Sequence, residues 1–454
     1  MSRPFTTFPF QDQDFFELEL TVNNATTNFS ISFSPYTGTP SASNPMDYAL
    51  TPVRVDWGDG TVGFATLAPA SSTAHIYNAT GLFTIKIWVK DFANLNGFTM
   101  NGLGSGGANG SLGNIDLSNF TNLNSISIYQ GAVDVITWPS TIDTTNKGLQ
   151  ASFYQTDGLP TIIDWSSMTN GLRSIQLNRV ETERVIFPPT GSVGLSSFLI
   201  QTDSVNGTMA LGTGAAAGTV LDFSSITFQT WANLEIQGPW GGGISGWTSV
   251  TWPAVFGGDF RQLYIEDGSA TTLDFSTVPF SSTYPSDVKF YCQGMPNLTS
   301  LTMPSVGQAP NIDWVVIGNN PLLAGVLDCS MFTNMHYFGF NDMPLMTGLT
   351  LPSSATVVLT GYAYVRDNPI LGYVDFTVIP NCTDGNDIKL QLQDNNWSAA
   401  NVNQILIDFD TISSLGPPYT GREIHIDGSN AAPTGAGITA VTNLTAKGFA
   451  VTHT

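Results

Sequence analysis

The sequence predicts a mainly β protein in three parts: a strand-rich N-terminal domain, a long array of stacked short strands, and a small α/β ending. Three observations predict it. Only 11% of the 454 residues are charged, against about 25% in an average soluble domain. The polar surface is therefore built from Ser, Thr, Asn, Gln and Gly, which suit turns and sheet edges better than solvated helices. Apolar and polar residues alternate with period two between Phe15 and Val89, the mark of half-buried strands. Beyond Ile115 two short phrases alternate toward the C-terminus, and recurrence at a steady interval signals a repeat architecture.

Charge excludes several functions. With 14 Lys+Arg against 35 Asp+Glu the formal charge is −21, so the chain lacks the basic face that nucleic-acid binding needs to displace phosphate counterions. Docking to an anionic membrane is disfavoured for the same reason. Disorder is excluded by Phe 28, Tyr 13 and Trp 10, far more aromatics than disordered chains carry. No stretch approaches the ~18 apolar residues of a membrane span. The start, Met1-Ser2-Arg3-Pro4-Phe5, has no apolar core of a secretory signal, so no export signal is expected. A surface-type composition without an export tag fits a virion protein, assembled in the cytoplasm and released by lysis. Cys292, Cys329 and Cys382 are odd in number and widely spaced. They are expected as small buried hydrophobes rather than disulfides or a zinc site.

Taken in order, residues 1–11 form an arm. Phe16–Val22 and Asn28–Phe33 alternate as strands on either side of an Asn23-Asn24 turn. In Val53-Arg54-Val55-Asp56-Trp57-Gly58-Asp59-Gly60-Thr61, the Gly-Asp-Gly supplies the positive-φ positions of a tight hairpin. A second motif follows, His75-Ile76-Tyr77 with Gly81 and then Phe83, Ile85, Ile87 and Val89 on one side of a strand. The two motifs in this order resemble a PKD domain over residues 12–95, which implies an immunoglobulin-like β-sandwich and a spacer or adhesive role. Asp56, Asp59 and His75 are residue types that hold metals or move protons. They are expected here to be structural, with Asp56, Gly58, Asp59, Gly60 and Gly81 shaping turns while Trp57, His75 and Tyr77 fix the core.

Residues 96–113, rich in glycine, are a linker or a first turn. Over residues 114–393 one phrase is apolar-Asp-apolar-Ser/Thr, with Asp116, Asp164, Asp222, Asp274, Asp328 and Asp375. The other is apolar-x-apolar-Pro, with Pro139, Pro188, Pro253, Pro304 and Pro352. The unit of about 24 residues falls in the range of leucine-rich repeats. Leu123–Ile128, Leu172–Leu177, Leu234–Ile236 and Leu298–Leu301 resemble the strands of such repeats. No turn buries its apolar side alone, so neighbours must stack. The recurring Asp reads either as a calcium or sugar ladder or, as expected here, as an acceptor for backbone N–H groups at each corner.

Residues 394–454 depart from the repeat. Ser398 is the N-cap of a helix running to Phe409. A strand at 423–428 follows, then a helix over 435–447 ending at Gly448, then a strand at 449–452. This resembles the C-terminal cap of leucine-rich-repeat-like proteins of bacteria and their phages. The whole order resembles BspA-type bacterial surface proteins and related phage virion proteins. It implies an immunoglobulin-like sandwich of the PKD type, then a leucine-rich-repeat-like β-solenoid with a small α/β cap.

No nucleophile elbow, zinc-helix motif or phosphate loop is present, and no catalytic residue, metal or cofactor is expected. The candidate ligand contacts are Trp240 and Trp247, in a glycine-rich insertion that would either display both rings to sugars or a protein or fold them back over the edge of the coil. Tyr362, Tyr364 and Tyr373 form a weaker group. The resulting expectation is a non-enzymatic bacteriophage virion surface protein: head fibre, capsid decoration or tail appendage. Its partners would be other capsid or tail proteins and a host surface glycan or protein, without membrane insertion. Self-association into a homo-oligomer is an open expectation, and a bacterial cell-surface adhesin is the alternative.

Overall fold

The computed structural model describes residues 15–35, 52–66, 71–89, 95–102, 110–120, 123–129, 132–142, 149–154, 162–168, 172–178, 184–187, 194–201, 210–211, 220–224, 226–237, 247–283, 287–353, 362–378, 389–412 and 421–454. The chain is mainly β, with solenoid turns over residues ~99–452. It divides into two compact units. The first is Met1–Phe228 with Pro239–Gly246 and Thr251–Val255; the second is Gln229–Gly238, Trp247–Val250 and Phe256–Thr454.

The first unit opens with two antiparallel arrangements. Phe15–Val22 pairs with Gly81–Val89, which pairs with Pro52–Asp56, which pairs with Val62–Thr66. Thr27–Pro35 lies between Ser71–Tyr77 and Leu95–Asn101. The period-two pattern sends Leu18, Leu20, Val55, Ile85 and Ile87 inward from one sheet and Phe29, Ile31 and Tyr77 from the other, and all of these are buried. Phe29 meets Trp57 edge to face at 6.3 Å. The segment expected as linker or first turn contributes strands to both sheets. Leu95–Asn101 also pairs in parallel with Ser125–Tyr129, and Gly110–Asp116 pairs with Phe15–Val22 and, in parallel, with Ala132–Thr137. Antiparallel sheets thereby pass directly into parallel coil. Residues 103–109 lie outside the described set.

In the coil of the first unit, Ser125–Tyr129, Leu149–Tyr154, Leu172–Asn178 and Gly194–Gln201 run parallel in register. The two phrases occupy one structural position on successive turns. Asp116 pairs with Thr137 and Asp164 with Ile186; in the second unit Asp274 pairs with Thr302 and Asp328 with Thr350. In these pairs an Asp turn alternates with a Pro turn; between Arg184–Ile186 and Val220–Asp222 lies a further strand, Ala210–Leu211, that carries neither phrase. Each Asp Oδ1 accepts the N–H two residues on, from Ser118, Ser166, Ser224, Ser276, Ser330 and Thr377, at 2.7–2.9 Å. The acceptor satisfies a corner N–H that no strand can reach. Asp274→Ala should cost about 1 kcal/mol and Asp274→Asn less, since the amide keeps the acceptor. Adding calcium or a chelator should leave the melting temperature unchanged; a calcium-dependent rise would revive the ion ladder.

In the second unit one parallel sheet runs through Phe260–Glu266, Lys289–Gln293, Trp314–Gly318, Tyr337–Asn341, Tyr362–Arg366, Lys389–Gln391, Arg422–His425 and Phe449–Thr452. Its inward residues, among them Leu263, Phe290, Val315, Phe338, Ala363, Leu390 and Ile424, are buried. Leu298–Leu301 was expected as a strand of this type. Instead Ser300–Thr302 belongs to the opposite side, paired with Thr272–Asp274. Leu298 sits in the corner before it, its N–H bonded to the Met295 carbonyl, so the leucine spacing there reports a turn.

Those corners are held by asparagines that sequence spacing did not single out. Asn320, Asn368, Asn395 and Asn430 are buried. Asn320 accepts from the Met295 N–H and donates to the Cys292 carbonyl, at 3.0 and 3.1 Å. Asn368 does the same with Met343 and Phe340, both at 3.0 Å. Left-handed residues precede them, Asn319 at φ 53, Asp367 at φ 60 and Asp394 at φ 58, a conformation that Asn and Asp tolerate best after Gly.

The ending follows the sequence closely. A helix spans Ala399–Ile412, and Ser398 Oγ accepts the Asn401 N–H at 3.3 Å. The second helix, Ala436–Ala446, starts after Gly435 and stops before Gly448, at φ 95. These two helices pack on each other. Among the described residues no helix is long and apolar enough to cross a membrane.

Candidate functional site

The motif residues of the N-terminal region come together. Gly58 and Gly60 adopt φ 80 and 89 in the hairpin, where a Cβ on Gly58 would stand 2.6 Å from the Thr84 carbonyl oxygen. Asp56 Oδ1 accepts the Gly58 N–H at 3.0 Å. Asp59 accepts from the Thr61 N–H at 3.0 Å and lies 2.7 Å from His75 Nε2. Burial opposes ionisation of Asp59, but Thr61 and His75 outweigh it and hold the carboxyl below the ordinary aspartate value. His75 stacks on Trp57 at 5.4 Å and meets Tyr77 edge-on at 4.6 Å. The Tyr77 hydroxyl donates to the Trp57 carbonyl at 2.9 Å. Gly81, at φ 151, opens the strand that follows.

Of the two tryptophans proposed as ligand contacts, Trp240 lies outside the described residues. Trp247 is not displayed. It is 5% exposed, its carbonyl accepts the Ser269 N–H at 2.9 Å, and its ring fills the space over Gly268, where a Cβ would come within 2.1 Å. Glycine opposite the ring turned an expected surface contact into core. The cysteines follow their expectation at Cys292 and Cys329, both buried; Cys382 lies outside the described residues.

Rings are displayed elsewhere, on the outward face of the parallel sheet of the second unit. Alternation sends one side of each strand to the core, as in Leu263-Tyr264-Ile265 or Phe290-Tyr291-Cys292, and leaves the middle residue facing out. Register then aligns the outward residues in rows: Tyr264, Tyr291, Val316, Gly339 and Tyr364 in one, Gln262, Lys289, Trp314 and Tyr337 in the next. Five consecutive strands each contribute a ring. Tyr264 stacks on Tyr291 at 4.3 Å and Trp314 on Tyr337 at 4.3 Å, with planes 21° and 11° apart. Tyr364 departs from this ladder and meets Tyr337 at 84°. Its ring lies back over Gly339, where a Cβ would come within 2.0 Å. Glycine on that row is what lets the ring lie down.

The phenols converge. Tyr264 and Tyr291 share a hydrogen bond, as do Tyr337 and Tyr364. Burial, with the nearby Glu235, Asp287 and Glu266 charges, pushes the Tyr264 phenol up to about 12. Burial raises Tyr291, Tyr337 and Tyr364 as well, so all four remain neutral hydroxyls at physiological pH. At the edge of the face Gln293 donates to Glu266 at 2.6 Å. Lys289 sits over Trp314 at 4.5 Å and pairs with Asp287 at 2.9 Å, while Arg261 reaches Asp287 at 2.8 Å. Burial works against the Asp287 charge, yet Lys289 and Arg261 hold that carboxyl below its ordinary value.

Burial raises Glu266, with Asp267 and Glu235 adding to it against the Gln293 hydrogen bond. The folded protein then holds this proton more tightly than the unfolded chain. The stability it contributes is present below the ordinary glutamate value and is lost as pH rises through the folded one. Glu266→Gln should therefore flatten part of the fall in melting temperature between acid and neutral pH. An unchanged profile would show that Glu266 titrates as it does in the unfolded chain.

The three later tyrosines divide. Tyr362 and Tyr364 belong to the sheet face, and Tyr362 is 44% exposed. Tyr373 donates to the buried Asp408 at 2.5 Å and fastens the first helix. Trp231 was missed in sequence: it is 50% exposed, takes φ 63 and donates its indole N–H to Thr283 Oγ1 at 3.1 Å. Among the described residues no group of three His, Cys, Asp or Glu is placed to hold a metal ion.

Fold and site together define a β-solenoid with a tyrosine-lined sheet face. No model of a known protein family matches the chain, and neither a curated protein nor a solved structure resembles it significantly.

Proposed function

We propose that this chain is a non-enzymatic surface protein of a bacteriophage particle, a head fibre, decoration or tail appendage, that uses the tyrosine-lined face to hold the host surface. The N-terminal sheets are read as an immunoglobulin-like sandwich of the PKD type that spaces the coil from other capsid or tail proteins. The C-terminal helices are read as its cap. The observation that carries the binding role is the ring-bearing face itself, partly exposed over five consecutive strands. The equivalent face of the first unit bears Ser125, Gln150 and Ser174 in one row and Ser127, Ser152 and Gln176 in the next, with Tyr129 in the row beyond. Aromatic rings with polar tips dominate recognition surfaces because they offer large contact area at low entropic cost.

The placement on a virion is supported by the low charge and by the order of PKD-like motifs and repeats. It is tested by labelling purified particles with an antibody to the chain and by measuring adhesion of the purified protein to host cells. Labelled particles and saturable adhesion, reduced by the double variant Tyr264→Ser/Tyr291→Ser at unchanged melting temperature, are expected. Label confined to the envelope of uninfected bacteria would select the cell-surface adhesin instead. Adhesion indifferent to the double variant would overturn the assignment of the face.

A further inference from the structure

The tyrosine-lined face carries features that a flat protein contact does not need, and they narrow the ligand. Four phenols that stay neutral are gathered beside the Glu266 carboxylate, which already accepts from Gln293. Neutral hydroxyls both donate and accept, and a carboxylate only accepts. A ligand matched to this set must itself carry several hydroxyls. The Tyr364 ring lies against Gly339 and stands at 84° to Tyr337, so one wall of the site is the upright ladder of Trp314 and Tyr337 and the floor is a ring laid along the sheet. Val316, in the same row between Tyr291 and Gly339, is fully buried, which closes the floor against water.

We infer that this is a saccharide site: a neutral pyranose of a surface polysaccharide rests its C–H face on the Tyr364 ring and directs its hydroxyls to the phenols, Glu266 and Gln293. The inference rests on the adhesive reading given above and names its ligand. Charge selects the neutral sugar. Asp287 holds both Lys289 and Arg261, and the chain as a whole carries −21, so a uronate-bearing polymer meets repulsion at long range and the Glu266 carboxylate at the edge of the face. At the far end of the face Arg366 stands 5.9 Å over Tyr364, with the Asp367 carboxylate 3.7 Å from its Nε, and Lys389, over Tyr362, pairs with Glu423 at 3.3 Å. The sequence signal is an apolar-Tyr-apolar triplet at Tyr264, Tyr291 and Tyr364, with Val316 and Gly339 at the two positions between the second and the third.

The test is affinity electrophoresis of the full chain through gels holding a neutral β-glucan, galactan or mannan, or polygalacturonate. Retardation by at least one neutral polymer and none by polygalacturonate is expected. Tyr364→Leu should weaken it about tenfold, the loss of one contact worth ~1.4 kcal/mol. Tyr291→Phe, which keeps its ring and loses only a hydroxyl, should weaken it severalfold and decides the matter if Tyr364→Leu fails to fold. Indifference of all three neutral gels, equal retardation by polygalacturonate, or wild-type binding by Tyr291→Phe and by folded Tyr364→Leu would overturn the saccharide. If cell adhesion still depends on Tyr264 and Tyr291 in that event, the adhesive role stands and the partner is a protein.

Discussion

Asn368→Ala is expected to lower the unfolding free energy by about 3 kcal/mol, measured by urea denaturation. The amide oxygen of Asn368 accepts from the Met343 N–H, and its nitrogen donates to the carbonyls of Phe340 and Arg366 at 3.0 and 2.8 Å. Asn368 is fully buried, so no water replaces what alanine removes, and an orphaned buried backbone group costs about 1–3 kcal/mol. Asn368→Asp has nearly the same shape but turns the donor into an acceptor facing the Phe340 carbonyl, and should also destabilise. An alanine variant as stable as the wild type would mean that these corners are held by apolar packing alone.

Trp397→Ala should cost still more, in the range of about 3–5 kcal/mol found for large aromatic truncations. Trp397 is 1% exposed and closes the gap between the last repeat turn and the first helix. Its indole N–H is shared by the carbonyls of Leu371 and Gly372, each at 3.0 Å. Its own N–H goes to Asn430 at 3.1 Å. Trp397→Phe keeps most of the volume and gives up only the indole bond, so about 1–2 kcal/mol is expected. The difference between the two variants separates cavity from hydrogen bond. Equal losses would assign the whole effect to the indole N–H.

Where a local rule decides the outcome, the sequence was legible. Phe16–Val22 and Phe83–Val89 alternate cleanly and form strands; Gly58 and Gly60 turn the hairpin; Ser398 caps its helix. The recurring Asp was assigned to backbone acceptance, and the Oδ1 contacts two residues on agree. What escaped were contacts between turns. The outward tyrosines are flanked by apolar triplets too short for a period-two signal to stand out, and only register places Tyr264 beside Tyr291. The asparagines act on the preceding turn, so nothing adjacent to Asn320 or Asn368 reveals their partners, although Asn-Pro recurs at both. Trp247 looked displayed because its neighbours are glycines. Its fate is set by Gly268, which lies across a turn and leaves room for the ring.

The alternation of Asp turns with Pro turns sets the size of the chain's smallest interchangeable part. Neighbouring turns differ in kind, and asparagine corners alternate with methionine corners at Met295, Asn320, Met343 and Asn368. From Met295 to Asn368, removing one turn would set two like turns against each other, breaking both patterns at the cut, whereas removing a pair leaves the junctions of that stretch as they were. Because repeat arrays are stabilised by each unit's match to its neighbours, the coil is expected to have grown, and to be redesigned, by duplication in even steps.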